Sequence, residues 1–140
     1  MKVIEEELRK HGKYICKTEG NSMYPMLRQG LDRVIVIPPV FPLKKYDVPV
    51  YKSGDHYTMH RIIKIKRDGS YVICGDNRVD FEYDVTEDAI VGVLAGFMRG
   101  DEYIDLNDEK YLKYVRRLGR RYPVRYIKYF LHRVMRKLGI

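Results

Sequence analysis

The stretch HYTMHRIIKIK-RDGS-YVICGDN, residues 56–77, decides the fold. Residues 56–66 are rich in β-branched and aromatic side chains and predict a long strand. Asp68 and Gly69 then supply the turn chemistry of a hairpin, and "YVICG" (71–75) predicts the returning strand. Working outward, "KYICKT" (13–18), "RVIVI" (33–37), "VPVY" (48–51), "AIVGVLAGFMRG" (89–100) and "EYIDL" (102–106) are further strand candidates. Pro49 suits an edge or a bulge. Many short strands punctuated by Gly and Pro argue for a mainly β, coiled, antiparallel domain.

Helices are expected only at the two ends. Residues 2–11, "KVIEEELRKH", read as a short helix closed by Gly12. Beyond the β run, residues 108–118 bring Tyr111, Tyr114, Val115 and Leu118 onto one face. Residues 123–138 do the same with Val124, Ile127, Leu131, Val134, Met135 and Leu138, against Arg125, Lys128, His132, Arg133 and Arg136. Both segments follow the period of an amphipathic helix, and Pro123 fits the first position of the second. The expected organisation is a β domain over 1–106 and a helical extension of two amphipathic helices over 107–140.

Charge divides at the same place. The 140 residues carry 27 Lys+Arg and 19 Asp+Glu, a net +8. From Asn107 onward there are eleven cations and two acids, so residues 1–106 hold 16 against 17 and are nearly neutral. A basic tail on a neutral body implies either an anionic partner or a solvated face. No run of 18 apolar residues exists, so no membrane-spanning helix is expected. The opening residues lack the apolar core of a secretory signal. Cys16 and Cys74 have no metal-like spacing and read as free thiols of a reducing compartment.

Chemistry-bearing residues are few. Ser22 stands in "EGNSMYPMLRQG" (19–30), on a Gly-led turn followed by Pro25. A serine hydroxyl needs a base to take its proton as it attacks. Of the four histidines, His11 ends a helix, His132 lies on a basic helical face and His56 opens a strand; His60 is read mid-strand and is the best-placed base. A third group must orient the imidazole, and Asp76, in the turn "GDN" (75–77), is a candidate.

The ordered set "GNSMYPML", "YTMHRIIKI", "VICGDNRVD" and "IVGVLAGF" resembles the superfamily of type I signal peptidases and SOS-repressor self-cleavage domains, across about residues 14–98. The resemblance implies a coiled antiparallel β fold and a serine endopeptidase that uses no cofactor and no metal. Ser22 is then the nucleophile and His60 the base, as in the archaeal and endoplasmic-reticulum branch. Asp76 corresponds to that branch's Gly-Asp-Asn aspartate. A second acid is expected among Asp80, Glu82 and Asp84. Asn21, Met23 and Pro25 shape the turn and the substrate groove.

The sequence departs from the family's pattern at four points. Gly20 stands where many relatives place a serine that helps bind the oxyanion, leaving Thr18, the amide of Asn21 or backbone alone for that task. The usual Gly-Asp turn after the serine box reads Gly30-Leu31-Asp32, and the next one reads Tyr46-Asp47. The family's membrane anchor is not among these residues. The expectation is a peptidase acting on a peptide or precursor protein, cytoplasmic or peripheral at the inner membrane surface; residues 107–140 either pack their apolar stripe on the β domain with the charges facing water, or meet anionic lipid. Two other classes compete: a catalytically inactive peptide-binding module, and a basic regulatory protein acting on nucleic acid, for which the chain offers no recognised DNA-binding motif.

Overall fold

The computed structural model describes residues 3–140, which form helices α1 (Val3–His11) and α2 (Glu109–Lys137), a short 3-10 turn (Glu87–Ala89) and nine strands. The strands are β1 (Tyr14–Lys17), β2 (Arg33–Ile37), β3 (Pro49–Ser53), β4 (His56–Met59), β5 (Arg61–Ile65), β6 (Tyr71–Cys74), β7 (Glu82–Val85), β8 (Ile90–Arg99) and β9 (Glu102–Asp105). The chain is mainly β, and its larger sheet curls as a half-barrel. That sheet runs β1-β2-β8-β3-β4, with β9 also on β8; β5-β6-β7 form a second sheet, and every pairing is antiparallel.

β8 organises the larger sheet. It pairs β2 along Val93–Met98, and on its other edge takes β3 near Ile90–Val93 and β9 from Gly96 to Arg99. One strand meets three partners because it is ten residues long and its register shifts against both β2 and β3. Such bulges bend a strand and add twist, which curls the sheet. Alternation supplies the core: Val34 and Val36 of β2 point inward with Leu94 and Phe97 of β8 and Val50 of β3. Ile4 and Leu8, one helical turn apart on α1, and Met23, Met26 and Leu27 close the same cluster. Burying each such side chain contributes about 1.5–3 kcal/mol.

The hairpin turning at 67–70 forms with Gly69 in the left-handed conformation and Asp68 accepting from both the amide and the hydroxyl of Ser70. It is shorter than the sequence predicts. Residues 56–66 are two strands, not one: β4 belongs to the larger sheet and β5 to the smaller, and His60 is the residue at the break. The chain changes sheets there because Arg61 and Ile62, fully buried, follow a different set of partners.

The C-terminal segment also differs. One continuous helix, α2, replaces the two expected, and Pro123 lies inside it. Asp108 caps its start, accepting from the amides of Lys110 and Tyr111. An internal proline forfeits a backbone hydrogen bond, at a cost of about 3 kcal/mol. Contacts with the body on both sides of Pro123 offset that cost. Tyr111, Val115, Leu118 and Tyr122 are buried before it, and Tyr126 and Tyr129 stack on Phe81 after it. Among the described residues no helix is long and apolar enough to cross a membrane.

Candidate active site

His60 sits between the two sheets and is tied to both. Its Nδ1 lies 2.9 Å from Glu82 Oε1 on β7 and 3.2 Å from the Tyr51 hydroxyl on β3. Tyr51 also donates to Glu82 Oε1 at 2.7 Å. The hydrogen bond from His60 holds the Glu82 carboxyl below its usual range, against partial burial, and the Tyr51 bond adds to the lowering. Burial pushes the Tyr51 phenol well up, and its bond to Glu82 raises it further, so it remains a donor. A carboxylate can only accept, so Nδ1 carries the proton that faces it. In the neutral ring Nε2 then keeps its lone pair, as a general base requires.

Ser22 approaches from the far side of the same ring. A Cβ placed on Gly75 would stand 2.8 Å from the Ser22 carbonyl oxygen and 3.2 Å from His60 Cδ2, the ring carbon bonded to Nε2. The serine turn and the imidazole therefore meet across a glycine that leaves no room for a side chain. Asn77 N donates to the Ser22 carbonyl at 2.8 Å, and the Asn77 side-chain amide donates to Asn21 O at 3.2 Å. The loop after β6 thus buttresses the serine turn. Among the described residues no hydrogen bond joins the Ser22 hydroxyl directly to His60.

Asp76 does not orient the imidazole. Its carboxylate is buried and receives Arg61 Nε and Nη2 at 2.8 and 2.9 Å, with the Tyr114 hydroxyl at 2.7 Å. Arg61, also fully buried, spends its remaining donors on Tyr46 O (3.0 Å), the Tyr111 hydroxyl (2.9 Å) and Met26 Sδ (3.1 Å). Burial alone would lower the guanidinium's pKa, but the Asp76 charge outweighs it and the net direction is upward. Two desolvated charges each cost several kcal/mol, so this pair persists only because its hydrogen-bonding groups are so fully matched. The pair fixes β5, the 75–78 loop and α2 to one another.

The groove residues separate in the same way. Met23 is buried in the core and its Sδ accepts from the Asp76 amide at 3.4 Å, so it supports the loop from below and is withdrawn from any groove. Asn21 and Pro25 are exposed beside Ser22. Gly20 has φ +73°, a conformation that would strain a serine at this position. The Thr18 hydroxyl donates to Arg28 O at 2.7 Å, which commits its proton elsewhere. Arg28 in turn grips buried Asp32 through two side-chain nitrogens and its amide, so the Gly30-Leu31-Asp32 sequence still closes the serine turn. Tyr46 occupies its turn with φ 77°, at a cost on the order of 1 kcal/mol.

Of the three acids left open after Asp76, Glu82 is the one on His60. β7 has an extra residue between its pairings with β6, and Asp84 there has φ 62°. That bulge parts Glu82 from Asp84, which instead takes Lys66 at 2.7 Å. Sequence reasoning missed Tyr51 and the structural role of Arg61. A lone arginine inside an apolar strand was the available signal for the second. Burial pushes the Cys74 thiol up to about 12, so it is no nucleophile, and both cysteines are free. Among the described residues no group of three or more His, Cys, Asp or Glu is arranged to hold a metal.

No model of a known protein family matches the chain, and a search of curated proteins finds no match.

Proposed function

We propose that the chain is a serine endopeptidase of the signal-peptidase and SOS-repressor kind, its half-barrel being that superfamily's coiled β fold. Ser22 attacks the substrate carbonyl while His60 Nε2 takes the hydroxyl proton. Glu82, with Tyr51, holds the ring's tautomer and stabilises the imidazolium as it forms. His60 then protonates the leaving amine, and a water activated by the same nitrogen hydrolyses the acyl-enzyme. Backbone amides at the serine turn serve the oxyanion, a donor there being worth about 3–4 kcal/mol of barrier. Small residues before the scissile bond are the expected substrate preference.

One observation carries this reading: an imidazole whose Nδ1 is held by an ionised carboxylate while its Cδ2 edge meets the Ser22 backbone across Gly75. The test is labelling by a fluorophosphonate, read by intact mass, together with cleavage of a peptide library. Wild type is expected to label and cleave; Ser22→Ala is expected to do neither while melting at the same temperature. A protein that stays unlabelled and cleaves nothing refutes the proposal.

A second reading, a peptide-binding module without turnover, is favoured by the missing hydrogen bond between the Ser22 hydroxyl and His60. It predicts saturable peptide binding that Ser22→Ala leaves unchanged.

A further inference from the structure

We propose that α2 is a membrane-surface element, its outward side seated in the interface of an anionic lipid bilayer. Tyr111, Val115, Leu118 and Tyr122 are buried and mark the side of α2 turned to the sheets. Counted at 3.6 residues per turn, Val124, Ile127, Leu131, Val134, Met135 and Leu138 fall on the opposite side. They form one stripe along four turns and point away from every strand. Ile127 is 56 % exposed, Leu131 51 % and Leu138 68 %, and all of residues 130–140 are exposed. An aliphatic stripe of this length in water lacks the partner that its period implies.

The same outward side, followed back towards the helix start, becomes cationic at Lys113, Arg116, Arg117 and Arg120. The helix therefore offers phosphate-seeking charge along one half and acyl-seeking surface along the other, with Lys128 and Lys137 flanking the stripe. Within residues 123–138 the stripe is backed by Arg133 and Arg136 on the opposite face, as in amphipathic helices that lie in a bilayer interface. The charge count selects lipid over a second copy of the chain. From Glu109 to Lys137 there are eleven Lys+Arg and one acid, so two such helices would repel, and residues 1–106, with 16 cations against 17 acids, carry too little net negative charge to draw a second helix in. Nucleic acid would answer the cations and leave six aliphatic side chains in water. The helix is too polar to cross, so it lies flat.

Lipid seating would also reach the candidate site. Arg125, on the body side of the helix, donates to the carbonyls of Asp76 (2.6 Å) and Arg78 (3.2 Å), in the loop that buttresses Ser22. Seating the helix would therefore fix the position of that loop, and of Ser22 with it, relative to the bilayer. The docking proposal does not depend on turnover and stands or falls on binding alone.

The experiment is flotation of the full chain with vesicles of phosphatidylcholine containing about one third phosphatidylglycerol, beside pure phosphatidylcholine. Wild type is expected to float with the anionic vesicles, to stay down with the neutral ones, and to lose binding as salt is raised to ~0.5 M. Leu131→Glu with Leu138→Glu is expected to weaken partitioning by at least about tenfold at unchanged helix content and monomer mass. Reversal of Lys113, Arg116 and Arg120 to Glu is expected to abolish the anionic preference. Absence of flotation, equal flotation of the Leu131→Glu, Leu138→Glu protein, or a dimer that the same pair of changes dissolves overturns the proposal. So does salt-sensitive capture of duplex DNA by a chain that ignores vesicles.

Discussion

Replacing Asp76 and Glu82 separately by their amides should produce opposite phenotypes, because the two carboxylates do different work. Asp76→Asn keeps the shape of a side chain that is fully buried, but removes the charge from two bonds to Arg61 and one to Tyr114. The guanidinium stays desolvated, with Tyr46 O, the Tyr111 hydroxyl and Met26 Sδ as its remaining acceptors, none of them charged. Removing one partner of a buried pair costs about 3–5 kcal/mol. For a chain of this length that is a fall in melting temperature of roughly 10–20 °C. Glu82→Gln acts on a carboxylate whose side chain is 41 % exposed, so its stability cost is within about 1 kcal/mol, the range of a solvent-screened pair. Its effect falls on the imidazole: a glutamine can present its NH2 to Nδ1, which favours the tautomer with the proton on Nε2 and leaves no base. Peptide cleavage should drop by a factor on the order of 10³ or more, the scale of general-base loss. Paired thermal melts and turnover assays on the two proteins read this directly. If Asp76→Asn melts like wild type yet is inactive, or Glu82→Gln retains full turnover, the division of labour is wrong.

Gly75→Ala places a methyl within 2.8 Å of the Ser22 carbonyl and 3.2 Å of the His60 ring. It should cost about 1–3 kcal/mol by overpacking and, by spreading serine from imidazole, about 10² in turnover, seen in the same two assays. Tyr51→Phe removes one of the two bonds reaching Glu82 Oε1; turnover should fall by about tenfold or less, and the Glu82 carboxyl should titrate closer to its ordinary value by NMR. Because folding lowers the Glu82 pKa, its stabilisation is present above the ordinary carboxylate range and is lost as pH falls through the lowered folded value. The difference in melting temperature between wild type and Glu82→Gln should therefore be largest near neutral pH and shrink with acidification below about pH 4.

Much of the β framework was legible because its signals are local. The alternation of "RVIVI" and the Asp-Gly turn at 68–69 state a strand and a hairpin without help from the rest of the chain. The break at His60 was not, since nothing in "TMHRII" interrupts the strand pattern; the chain parts there because Arg61 must reach Asp76, an interaction fifteen residues away. β7 escaped notice because "EYDV" is too short and too polar to alternate visibly. Its bulge is also what separates Glu82 from Asp84, two residues that an ideal strand would have placed on one face. Pro123 read as a helix start because its tolerance inside α2 rests on Tyr122, Tyr126 and Tyr129 finding tertiary partners. Ser22 and His60 were legible by type and by resemblance; Tyr51 was hidden because a tyrosine in a strand is ordinary until its hydroxyl is located.

The imidazole is latched by Tyr51 to one sheet and by Glu82 to the other, at the point where the backbone itself passes between them. Its position is thus a gauge of how the two sheets are set. Any fluctuation that opens the crevice between β3 and β7 displaces the ring before a single strand pairing is lost. Fraying of β7, four residues at the margin of its sheet, would then silence the chemistry while spectroscopic folding signals stay intact.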